Sequence, residues 1–116
     1  MLYDPSKEHD PVRDNLLHLA DFIESHGWCQ RSEWKFGLFG YRYCLLGSMH
    51  QVLGNPSFME DAKAFRDVER RLWHVLNNSG EWLYSWNDVK GRTKKQVVEL
   101  VRKAAYLSPV TQEVRP

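Results

Sequence analysis

The sequence predicts an all-α fold: a compact single-domain bundle of four to five helices, with an aromatic-rich loop between the first two. Three observations predict it. Apolar residues recur at spacings of three and four in four separate stretches. Capping and stop signals bracket those stretches. The chain has 116 residues, 42% hydrophobic and 27% charged, which suits one globular domain with one core. That length excludes two large domains, a propeller or a full doubly wound dinucleotide-binding fold.

The first helix is predicted over 11–26. Asp10 can accept hydrogen bonds from the free amides of the first turn, and Pro11 suits the first helical position. Val12, Leu16, Leu19, Ala20 and Ile23 then share one face. Gly27 ends the helix by taking a left-handed conformation, and Trp28 packs back towards Ile23. Residues 29–40 contain two glycines and no clear period, which reads as a loop packing Trp34, Phe36, Leu38 and Phe39 on the core. A short strand or hairpin is the alternative there.

The second helix is predicted over 41–53, with Tyr41, Leu45, Ser48, Met49 and Val52 on one face. Gly47 and Ser48 leave room for another helix to approach, and Gly54-Asn55-Pro56 stops the element. The third helix opens on a Ser57/Glu60 capping box. Its stripe is Ala62, Phe65, Val68, Glu69, Leu72, Val75 and Leu76; Lys63, Arg66, Asp67, Arg70 and Arg71 lie on the other face. Residues 81–86 read as one or two helical turns. The last helix has a second capping box at Thr93 and Gln96, and a stripe of Val97, Leu100, Val101, Ala104 and Leu107. The domain thus spans 10–108, flanked by flexible ends at 1–9 and 109–116.

The N-terminal residues carry acids and no apolar core, so they do not read as a signal peptide, and no apolar run reaches membrane-spanning length. The predicted compartment is cytoplasmic. Sixteen basic and 15 acidic residues give a net charge of +1. Residues 1–25 carry two basic and six acidic side chains, net −4; residues 88–103 carry six basic and two acidic, net +4. Either the two segments face each other or are merely solvated, or the basic one meets an acidic partner.

Four constellations bear on chemistry. Trp86-Asn87-Asp88 reads first as a turn builder, because Asn and Asp side chains bond local amides; the alternative makes Asp88 an acid, base or ligand. Cys44 lies in the predicted first turn of a helix, where a thiol is activated, with His26, His50 or His74 as the candidate partner of a cysteine–histidine pair. Packing as a small hydrophobe is its other reading, and that of Cys29. The five histidines show no metal-binding spacing and no phosphate-loop motif occurs, so neither metal nor cofactor is predicted. Finally, five Trp, five Tyr and five Phe exceed what a small core needs. Trp34, Phe36, Phe39 and Tyr41 lie beside Arg31, Lys35 and Arg42 in the least regular segment, mixing aromatic and basic side chains. Arg92, Lys94 and Lys95 form a second candidate binding surface.

Three motifs carry a resemblance: Gly27-Trp28, Tyr43-Cys44-Leu45-Leu46-Gly47-Ser48, and Trp86-Asn87-Asp88 followed by Arg92-Thr93. Together they resemble a family of small uncharacterised proteins of bacteria, mainly actinobacteria, and of their phages, over residues 12–106. Ser48 stands where that family carries alanine. The resemblance implies a gene context and no mechanism.

The function expected is that of a small non-enzymatic protein-binding module. It would be a phage or mobile-element accessory protein that inhibits a host enzyme or defence complex, as anti-CRISPR proteins do. The partner would be a host macromolecule, first of all a protein, with the chain as monomer or homodimer. The alternatives are nucleic-acid binding through residues 88–103 and a small enzyme using Cys44 or Asp88.

Overall fold

A computed structural model of the chain describes residues 10–38, 40–57, 59–76 and 82–107. Among these are five helices: α1 (Pro11–His26), α2 (Leu45–Leu53), α3 (Met59–Val75), α4 (Leu83–Asn87) and α5 (Lys94–Ala105). Between α1 and α2 stand two antiparallel strands, β1 (Trp34–Gly37) and β2 (Gly40–Tyr43). The fold is therefore not all-α.

The correction has a local cause. Trp34-Lys35-Phe36 and Tyr41-Arg42-Tyr43 are two aromatic–basic–aromatic triplets, an alternation of period two that puts both aromatics of each triplet on one face. Two residues separate Gly37 from Gly40, the length of a tight hairpin connection. Gly40 takes φ +104°, which favours glycine. Strand pairing thus claims 41–43 from the predicted second helix. That helix starts at Leu45, with Cys44 as its N-cap rather than in its first turn.

Elsewhere the helical reading holds. Leu16, Leu19, Ala20 and Ile23 of α1 are fully buried, and Val12 packs at the rim. They meet Leu45 and Met49 of α2, Val68 and Leu72 of α3, and Val97, Val101 and Ala104 of α5, all without solvent access. Each buried leucine contributes about 2 kcal/mol of apolar transfer free energy. Leu83 and Trp86 of α4 close the same core. The Thr93/Gln96 capping box forms as read. The Ser57/Glu60 box, and the end segments 1–9 and 109–116, lie outside what is described. No helix among the described residues is long and apolar enough to cross a membrane.

Two expectations about packing change. What approaches Gly47 is not a helix but the chain entering β1: a Cβ there would overlap the Glu33 carbonyl. Arg71, placed on the face opposite the apolar stripe, is 1% exposed. Its Nη1 donates to Asp10 Oδ2 at 2.9 Å, while Asp10 Oδ1 accepts from the amides of Val12 and Arg13. One carboxylate therefore caps α1 and neutralises a guanidinium from α3.

Burial alone would raise the Asp10 pKa. The Arg71 hydrogen bond and charge, with the two amides, outweigh it and hold the carboxyl below its ordinary value. A carboxyl with a depressed folded pKa contributes stability above its unfolded pKa and loses it as pH falls through the folded one. Stability should therefore fall as the solution is acidified below the ordinary carboxylate range, and fall less steeply in Asp10→Asn. At neutral pH Asp10→Ala should cost about 3 kcal/mol, because it strips a buried guanidinium of its counter-charge. Urea unfolding across pH checks both; an unchanged acid limb in Asp10→Asn contradicts the assignment.

Candidate functional site

The site is built on Asn87, whose side chain has no solvent access. A carboxamide offers two acceptor sites and two donors. All four are used. Oδ1 accepts from the Trp28 indole N–H and, at 3.0 Å, from the Leu45 amide. Nδ2 donates to the Cys29 carbonyl at 3.1 Å and to Asp88 Oδ1 at 2.9 Å. The chain after α1, the start of α2 and the end of α4 are thereby tied at one point.

The neighbours extend that junction. Asp88 Oδ1 also accepts from the Arg31 amide at 2.8 Å. That bond holds Arg31 at φ +67°, a conformation non-glycine residues seldom take. Gln30 Nε2 donates to the carbonyls of Asn87 and Val89, each at 2.9 Å. Arg92 lies over the Trp86 ring at 3.9 Å and its Nε donates to the Trp86 carbonyl. Cys44 Sγ accepts from the Gly47 amide and caps α2, and the Cys44 amide donates to the Glu33 carbonyl at 3.0 Å. His50 Nδ1 pairs with Glu33 Oε1, and its ring stacks on Phe65. The base of the hairpin is gripped from both sides, by the 86–89 turn and by α2.

The three motifs of the sequence meet at this junction. The model of a family of unknown function, DUF6197, matches residues 7–107. The chain belongs to that family. No curated protein and no solved structure matches the chain.

The hairpin above the junction has two unlike faces. Trp34 pairs with Tyr43 and Phe36 with Tyr41, so all four rings share one face. Trp34–Tyr41 and Phe36–Tyr41 make edge-to-face contacts at 5.4 and 5.0 Å. Tyr43 continues the row to Phe22 of α1. This row stays open to solvent: Trp34 is 53% exposed, Phe36 70% and Tyr41 51%, with Leu38 at the tip 92% exposed. Lys35 and Arg42 form a cross-strand pair on the opposite face.

The predicted binding residues thus divide. Trp34, Lys35, Phe36 and Arg42 come together on the hairpin, and Arg31 stands at its base. Phe39 lies outside the described residues. Arg92 belongs to the junction through Trp86. Lys94 and Lys95 lie apart from the strands, at the start of α5, where the Lys94 ammonium reaches the Glu24 carbonyl of α1. Arg102 Nη2 comes within 4.0 Å of Asp21. The acidic first helix and the basic last one therefore face each other.

Cys44 and Asp88 are taken up by structure. Burial pushes the Cys44 thiol up, against the amides of Gly47 and Leu46 that pull it down; the activation expected at a helix N-terminus is overridden. Burial likewise raises Cys29. Among the described residues no three His, Cys, Asp or Glu side chains gather into a metal-ligand set. Sequence reasoning placed Tyr41 both among the aromatics of the 31–42 segment and on a helical stripe, and it missed the Glu33–His50 pair, which no spacing announces.

Asn87→Asp keeps the shape and removes both donors. Its carboxylate would face the Cys29 carbonyl and Asp88 without a proton to offer. The substitution should cost on the order of 3 kcal/mol in urea unfolding. A cost under about 1 kcal/mol would contradict the junction as described.

Proposed function

We propose that the chain is a non-enzymatic protein-binding module that docks its partner on the aromatic face of the hairpin. One observation carries the reading: Trp34, Phe36 and Tyr41 share one solvent-open face, with Leu38 exposed at its tip, on a hairpin fixed at its base. Exposed aromatic clusters mark interaction sites, because burying a ring gains much area for little lost rotamer freedom. A fixed hairpin also limits the ordering cost of association.

The rest of the molecule supports a binder over an enzyme. Cys44 and Asp88, the two side chains the sequence offered for chemistry, serve as a helix cap and a backbone anchor. The contacts of Lys94 and Arg102 with α1 favour a protein partner over nucleic acid, since part of the 88–103 charge is answered within the domain. The resemblance to small proteins of actinobacteria and their phages supports a host protein as partner. On this reading the chain is a phage or mobile-element accessory protein in the host cytoplasm. It inhibits a host enzyme or defence complex by occupying its surface, in the manner of an anti-CRISPR protein.

The double variant Trp34→Ala/Phe36→Ala tests the reading. Both side chains are exposed, so about 1 kcal/mol or less of stability should be lost. From a nuclease-treated host lysate, the wild-type chain should retain one dominant protein and the folded double variant should lose it. A partner held equally by both proteins would overturn the assignment of the surface. Nucleic acid as the sole retained material would overturn the class of partner.

A further inference from the structure

The hairpin is a two-stranded sheet, and among the described residues its β1 edge has no neighbour. The bond from the Cys44 amide to the Glu33 carbonyl continues the ladder, so the hydrogen-bonded pairs above it are Lys35–Arg42 and Gly37–Gly40. The backbone groups of Trp34 and Phe36 consequently point away from β2. Nothing among the described residues bonds to them. The opposite edge differs: at Tyr43 the carbonyl accepts from the Cys29 amide, and Trp28 bridges to Tyr43. One edge is closed at its base and the other is open.

The side chains flanking the open edge are sorted by chemistry. Trp34 and Phe36 project to the aromatic face; Lys35 projects to the other, directly opposite Arg42. Like charges opposite each other on a strand pair are destabilising. No carboxylate among the described residues relieves this pair, and Glu33 at the strand entrance is held by His50. The same like-charge argument weighs against a second copy, whose own Lys35 would come to the same edge.

We infer that β1 accepts an added strand from an acidic partner, an extended segment in which apolar and acidic residues alternate. This rests on the hairpin being the docking surface and names how the partner is read. Backbone bonds to Trp34 and Phe36 would fix the segment. Its apolar side chains would lie along Trp34, Phe36 and Tyr41. Its carboxylates would lie against Lys35 and Arg42.

The test uses the full ¹⁵N-labelled chain and two short synthetic peptides of the same composition. One alternates valine with glutamate; the other has the valines in one block and the glutamates in the next. The alternating peptide should shift the Trp34 and Phe36 amides and slow their hydrogen exchange. The block peptide should bind about tenfold more weakly, and Lys35→Glu should weaken the alternating peptide by a similar factor. No response at those two amides up to about 1 mM alternating peptide overturns strand addition, as does equal binding of a valine–lysine alternating peptide. If a protein partner is nonetheless lost on Trp34→Ala/Phe36→Ala, the aromatic face stands as the docking surface and only strand addition falls. A single-stranded oligonucleotide that protects the same two amides in place of the peptide overturns both.

Discussion

The Asn87 carboxamide has both of its acceptor sites and both of its donors engaged, and it ties the segment after α1, the start of α2 and the end of α4 together beneath the hairpin. Trp28, Cys29 and Leu45 lie 59, 58 and 42 residues away from it in sequence. A buried amide with all its hydrogen bonds made stabilises and specifies; with one missing it costs more than an apolar residue in its place. This explains why a polar side chain sits in the core. It also explains how a short two-stranded hairpin, marginal by itself in water, holds its position. Asp88 extends the same junction to Arg31, and Gly47 lets the strand entrance lie against α2.

The helices were legible because each is a repeating pattern with local caps. The stripe of α1, its Asp10 cap and the Thr93/Gln96 box of α5 are all statements about residues within a few positions of each other. The hairpin was less legible, since its signal is two triplets long. Tyr41 also fits a helical stripe with Leu45 and Ser48, and that longer pattern masks the alternation of 41–43. Arg71 shows the same limit. Its position on α3 reads as part of the face away from the core until Asp10, 61 residues away, comes beside it.

The site was half legible. The excess of aromatic residues and their mixing with cations drew attention to Trp34, Lys35, Phe36 and Arg42, and the hairpin brings these four together. The turn-building reading of Asn87-Asp88 expected bonds to local amides; the two side chains instead reach Trp28, Cys29, Arg31 and Leu45, partners that no local spacing announces. Membership in a family of unknown function bounds the chain without assigning it a role. What favours the proposed binding module is how the fold uses its side chains. It spends the reactive ones on structure and leaves large apolar ones in solvent.

The central claim is that the hairpin base belongs to the same cooperative unit as the core. Native-state amide hydrogen exchange of the wild-type chain tests this most directly. The Leu45 amide, bonded to Asn87 Oδ1, should open only with global unfolding. Its opening free energy should match those of the Leu72 and Val101 amides in α3 and α5. A Leu45 amide that exchanges through a local opening, several kcal/mol cheaper than these, would contradict the account.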